Sequence, residues 1–288
     1  MRISLPVIGV LLLLPLSGWA QQLDARCTKG TDTGCIDWER GVAIALGSGA
    51  PARNARNAAQ KNATAQRAAK LDAARNVLEM IKGISISSST TLKDMMVEND
   101  TVESSIQGRL FSLRQVGRAK YFSDGSIQIK VEVSLRRVLP AALVAGESSD
   151  TPRQLAPPSS PPPGGGAINP AAAYTGLVID ARGTGVLPAL SPKVFDPDGN
   201  EVYGSAYVSR QWALSQGVLG YTKTIEAATK SDRMKMGGRS SPAVVKAVEA
   251  IGANKADLVL SKTDADTIRA IAQNQAFLSE GRVMVVLD

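Results

Sequence analysis

The sequence predicts an α+β protein of two domains: a long helix packed on an antiparallel sheet, then, beyond a Pro/Gly-rich linker, a compact mixed α/β unit. Three observations carry this. Small and apolar residues recur at steps of three and four over residues 52–81, the period of a helix with one buried face. Ile127, Ile129, Val131, Val133 and Leu135 alternate with Gln128, Lys130, Glu132, Ser134 and Arg136, the period of a strand with one wet face. Seven of the chain's 15 prolines fall within residues 146–170, beside the glycines 164–166. Such a composition spaces domains rather than filling a core. The expected boundaries are 1–20 for a signal peptide, 21–143 for the first domain, 144–172 for the linker and 173–288 for the second domain.

The elements follow in order. Arg2 supplies a positive start, residues 7–16 a short apolar stretch, and Gly18 and Ala20 the small residues before a cut after Ala20. That stretch is shorter than the ~20 residues a membrane-spanning helix needs. Gln21 follows the cut where a lipid anchor would need Cys, so none is expected. Export leads to an oxidising compartment, where Cys27 and Cys35, the chain's two cysteines, are expected to pair. Val42, Ile44 and Leu46 predict a short strand ended by residues 47–49. The helix is expected from about Ala52 to Ile81, with Ser48 near its cap, Pro51 at its start and Gly83 as its stop. Leu71, Val77, Leu78 and Ile81 should anchor it. Ile84 and Ile86, alternating with Ser85 and Ser87, predict a strand that Thr90 and Thr91 extend. Residues 93–100 read as a helical turn or a loop, 105–120 as strand with a bulge at Gly108, and Asp124-Gly125 as a hairpin turn.

In the second domain, residues 175–180 read as a strand, and Asp196-Pro197-Asp198-Gly199-Asn200 as the turn of a hairpin. Ser241 and Pro242 predict the start of a helix carrying Val244, Val245, Val248 and Ile251 and closing at Gly252. A buried strand at 257–260, a helix capped by Asp264 or Asp266 and running to about Asn274, and a strand at 282–287 predict a parallel neighbour pair with a crossover helix.

The run from Ala68 to Ile84, Ser88-Ser89-Thr90-Thr91, Gly108 and the Asp124-Gly125 hairpin resemble the Lpp-twenty lipoprotein family and the N-terminal domain of flagellar assembly protein T. The resemblance covers residues 52–139. It implies an envelope protein tied to outer-membrane or flagellar basal-body structures, and no catalytic residues. Leu177 to Gly183 and Arg282 to Asp288 look like segments of bacterial envelope proteins that carry both domains.

Composition narrows the chemistry. The absence of His excludes His-based nucleophile pairs and His metal sites. Aromatic residues are only 4%, which disfavours stacking platforms for bases or sugars. Residues 21–140 hold 18 Lys and Arg against 12 Asp and Glu, whereas 141–288 hold 14 of each, so the basic excess belongs to the first domain. Arg53, Arg56, Lys61, Arg67, Lys70 and Arg75 form the candidate face for a polyanion or an acidic partner. Asp180, Arg182 and the 237–241 loop with Arg239 form a weaker candidate ligand site, the basis of an alternative reading as a periplasmic hydrolase or small-ligand-binding protein. Asp196 to Asn200 does not fit a calcium loop: its glycine comes two residues early, and Tyr207 stands where a bidentate Glu is needed. The expectation is a periplasmic structural or assembly protein without catalytic, cofactor or metal residues. Its expected partners are envelope proteins or the outer-membrane surface, not nucleic acid, and homo-oligomerisation stays open.

Overall fold

In the computed structural model, residues 27, 29–110, 113–158, 168–169 and 171–288 are described. The expected signal peptide lies outside them, as does the middle of the linker. The first sheet is antiparallel. β1 (Lys29–Thr31) pairs with β2 (Gly34–Asp37), β2 with β3 (Val42–Gly49), and β3 with β6 (Ile127–Ser134). The short strands β4 (Arg114–Gln115) and β5 (Lys120–Tyr121) pair with the other edge of β6. Helix α1 (Ala58–Lys82) lies across this sheet.

Close approach explains the α1–β3 packing. β3 does not end at residue 47 as expected but continues through Gly49, because its glycines pass directly under the helix. A Cβ on Gly47 or Gly49 would stand 2.2 Å from the carbonyl oxygen of Ala69 or Ala65. Ala65, Ala69 and Ala73 complete this small-residue seam, and Val77 and Ile81 supply the bulk. Each of those two side chains contributes roughly 1.5–3 kcal/mol on burial. Leu71, expected as an anchor, is instead exposed. The Asn76 side chain donates to Leu46 O, and Asp72 accepts from Ser48 N, both at 2.8 Å, fixing the helix along the strand.

The start of α1 is six residues later than expected. Asn57 accepts from Gln60 N, while the Gln60 side chain accepts from Arg56 N, each at 2.8 Å. These bonds satisfy amide groups that Ser48 and Pro51 are too early to serve. Gly83 does cap the helix, but in the right-handed region at φ −78°.

One expected strand is absent and another is cut short. Residues 84–91 make a turn closed by Ile86 N to Thr90 O, and Thr91 caps α2 (Leu92–Glu98) in a reciprocal bond with Asp94. The first six residues of the expected strand at 105–120 are helical: α3 (Asp100–Leu110) buries Ile106 and Leu110 four residues apart, and Gly108 sits in it without a bulge, while among the described residues strand pairing is kept only at Arg114–Gln115 and from Lys120. The Asp124-Gly125 turn is as expected, with Gly125 at φ +81°. Short helices α4 (Leu135–Val138) and α5 (Ala141–Ala145) lead out of the domain.

The second domain holds a seven-stranded mixed sheet. Its strands are β7 (Leu177–Asp180), β8 (Val194–Phe195), β9 (Glu201–Tyr203), β10 (Gly220–Thr222), β13 (Ala243–Ile251), β14 (Asp257–Leu260) and β15 (Val283–Val286). Their spatial order is β10-β15-β7-β13-β14-β8-β9. Helices α6 (Arg210–Gln216), α7 (Ile225–Lys230) and α8 (Lys262–Ala272) flank it, and β11 (Lys235–Met236) with β12 (Arg239–Ser240) forms a separate hairpin.

The expected helix at 241–252 is the strand β13. Ala243, Val245 and Ala247 face the core while Val244, Lys246 and Val248 face out, the two-residue period of a strand. The expected neighbour pair over 257–287 also differs. β14 and β15 are separated by β13 and β7, and β14 runs antiparallel to β13. Helix α8 is present, but Ser261 caps it rather than Asp264 or Asp266.

The two domains pack against each other. Trp38 meets Tyr221 edge-on with ring centroids 5.6 Å apart. Leu190 N and Ser191 N donate to Ser85 O and Ile86 O, and Asn254 N donates to Ser88 O. Part of the expected linker is also packed: Leu155 and Ile168 are buried in the second core, and Arg153 N donates to Ala206 O at 2.8 Å.

Candidate functional site

Cys27 and Cys35 form a disulfide with their Cα atoms 5.7 Å apart. It lies with Val42 and Ile44 on the sheet face opposite α1. A strand buried on both faces needs cover on each, and the bridge holds a local loop over the second face.

All six residues of the candidate basic face are exposed. Arg53 and Arg56 precede the helix, because α1 starts at Ala58. Arg67, Lys70 and Arg75 lie on α1 within the half of its cylinder turned from the buried alanines at ~100° per residue, whereas Lys61, four residues before Ala65, continues the alanine row. None of the six makes an ion pair among the described residues. The helix has two carboxylates, and both are occupied. Asp72 accepts from Ser48 N, and Glu79 pairs with Lys82 at 2.8 Å. The positive potential of this surface is therefore not cancelled locally.

The weaker candidate site is not assembled. Asp180 and Arg182 meet in a two-point ion pair, with both nitrogen–oxygen distances 2.8 Å, at the C-terminal end of β7. Arg239 is exposed beyond the opposite end of the adjacent strand: β13 pairs Ala243 with Leu177 and Lys246 with Asp180. The Arg182 bond holds the Asp180 carboxyl below the usual carboxylate range. A general acid needs the reverse shift. Gly183 N adds a bond to the Asp288 side chain at 3.0 Å, so this corner closes the chain end.

A charged cluster that the sequence reading missed lies under the Asp196 turn. Asp196 is 1% exposed, and Arg269, from α8, is 5% exposed. Arg269 donates to Asp196 at 2.8 Å and to Asp266 at 3.0 Å. Asp196 also accepts from Asp198 N and Asn200 N. Burial alone would raise the Asp196 carboxyl, but the bonds from Asn200 and Arg269 outweigh it and hold it far below its usual value. These bonds account for the residues as a structural clamp. Among the described residues, no group of three or more His, Cys, Asp or Glu is placed to hold a metal ion.

The domain junction encloses a cleft of about 400 Å³. Trp38, Arg136 and Leu139 line it from the first domain, and Leu219, Tyr221 and Arg233 from the second. The Tyr221 hydroxyl donates to Ala189 O at 2.9 Å, which fixes the ring in its wall. Arg233 donates to the carbonyls of Gln216, Gly217 and Gly281, capping the end of α6. Burial lowers its guanidinium to about 10, so it stays charged at neutral pH. The sequence reading had no signal for this cleft, since its walls come from residues nearly 250 positions apart.

No helix among the described residues is long and apolar enough to cross a membrane. A family model described as Treponema pallidum Tp0624, second domain, matches residues 176–288, which cover the mixed α/β unit and less than half of the chain. No curated protein matches the chain.

Proposed function

We propose that the protein is exported to the cell envelope and serves there as a structural or assembly component, docking through the basic surface of its first domain. One observation carries the reading: Arg67, Lys70 and Arg75 remain exposed on α1 while the helix's own carboxylates are occupied elsewhere. A surface of one sign steers and orients an oppositely charged partner. The Cys27–Cys35 bridge fits an oxidising compartment. The resemblance of residues 52–139 to envelope domains, some of them flagellar, supports the same placement.

The test places a photo-crosslinking residue at Arg67, Arg75 or Val248 of the full chain in its native cells. Val248, on β13, is 63% exposed and serves as the control. Adducts with envelope components are expected from positions 67 and 75 and not from 248. They should be lost when Lys61 and Lys70 are both changed to Glu. Absence of adducts at 67 and 75, or equal adducts at 248, overturns the reading.

A further inference from the structure

We infer that the cleft between the two domains binds a small amphiphilic anion, its acidic head over Arg136 and Arg233 and its apolar body against Trp38 and Leu219. The volume, about 400 Å³, lies within the range of small-molecule sites.

The charges argue for an anion. Four cations line the cleft: Arg40, Lys230, Arg136 and Arg233. Arg40 is matched by Glu132 at 2.8 Å, and Lys230 by Glu226. Arg136 and Arg233 have no carboxylate within ion-pair distance among the described residues, and each donates only to main-chain carbonyls. The Arg136 charge itself disfavours the protonated form of Arg233, so two like charges face a common space. The one acid in the lining, Glu39, is exposed and accepts from the Thr222 hydroxyl at 3.4 Å. One acid cannot neutralise both guanidinium groups.

The geometry leaves a donor available. Arg233 uses Nη1 and Nη2 on carbonyls, and its Nε makes no hydrogen bond among the described residues. A Cβ at Gly220 would stand 2.5 Å from Met284 Sδ and 3.1 Å from that Nε. Glycine there lets the Met284 thioether and the Arg233 guanidinium pack side by side in the cleft wall. Around the charged end, Trp38, Leu139 and Leu219 offer apolar surface. A purely inorganic anion would leave that surface without a partner, and a neutral amphiphile would leave the guanidinium pair without one.

The head could be a carboxylate or a phosphate, since both accept from guanidinium. The probes are decanoate, decyl phosphate, decanol and inorganic phosphate, titrated calorimetrically below micelle-forming concentrations into the full-length protein. Decanoate, decyl phosphate or both should bind one to one, and which one binds names the head group. Decanol and inorganic phosphate should bind at least about tenfold more weakly, the loss expected for one charge-assisted contact or its apolar counterpart. Arg136→Gln should weaken the amphiphile by a similar factor. Because Arg136 also touches the second domain, a second variant fills the space: Ala227→Trp, on α7 in the cleft wall, should abolish binding with the melting temperature retained. Three results overturn the inference: no binding of either anionic amphiphile, equal binding of decanol, or unchanged affinity in both variants.

Discussion

Asp196 shows how one carboxylate ties distant segments together. Its oxygens accept the amides of its own turn and the guanidinium of Arg269, 73 residues later. Removing one partner of a buried pair leaves the other charge without compensation, typically at 3–5 kcal/mol. Asp196→Asn keeps an acceptor for the turn, and Asp266 continues to pair with Arg269, so a loss of about 3 kcal/mol is expected at pH 7. The folded-state carboxyl lies below its unfolded value, near 3.8. Its contribution is thus fully present above about pH 4 and is lost as pH falls through the folded value. Urea unfolding at pH 7 and pH 3, and at the lowest pH that still supports folding, should show the gap between wild type and variant narrowing only in the acid range. A gap that is absent at pH 7, or constant down to the lowest pH, contradicts the role. The turn itself was legible from Asp-Pro-Asp-Gly-Asn. Arg269 was not, because a long-range ion pair leaves no mark on local periodicity.

At the scale of elements, the segment after Pro242 is the instructive case. Val244, Val245, Val248 and Ile251 satisfy a helical spacing, which hides the strand alternation of Ala243, Val245 and Ala247. Alanine gives little contrast against its neighbours, so the true buried set is weak in the sequence. A register shift between Ala247 and Glu249 then leaves both Val248 and Glu249 facing outward, breaking the alternation further. The clear alternation at 127–134 has no such gaps, and there the expectation and the structure coincide. α1 was legible in its period but not in its start, because the Asn57–Gln60 cap is a weaker mark than Pro51. The strand assignment is testable by a pair of substitutions. On a helix, positions 245 and 248 would share a face and respond alike. On β13, Val245→Lys buries a charge and should cost at least about 3 kcal/mol, whereas Val248→Lys should change stability by less than about 0.5 kcal/mol. Chemical unfolding of both variants decides it, and equal losses would contradict the strand.

At the scale of the molecule, the Pro/Gly-rich composition of 146–170 reads as a free tether, yet the chain on both sides of its centre is packed. Residue 155 is buried in the second core, and residues 85–88 of the first domain bond to 190–191 and 254 of the second. Backbone bonds of this kind hold register between domains, and Trp38 against Tyr221 adds an aromatic contact that a mobile tether would not preserve. Composition could not reveal this, because a segment poor in apolar residues can still be held by its few, here Leu155 and Ile168. The two domains should therefore remain together when the covalent connection is cut. A protease site placed among the glycines 164–166 gives two fragments, the first still carrying Leu155. They should co-elute on gel filtration at micromolar concentration and unfold in one transition. Trp38→Ala removes the aromatic contact at about 2 kcal/mol, enough to weaken fragment association more than tenfold. A Trp38→Ala pair that associates as tightly would mean that the aromatic contact adds nothing to the junction. Fragments of the unsubstituted protein that separate would mean that the domains are joined by their linker alone. The cleft they enclose would then have no fixed shape with which to select a ligand.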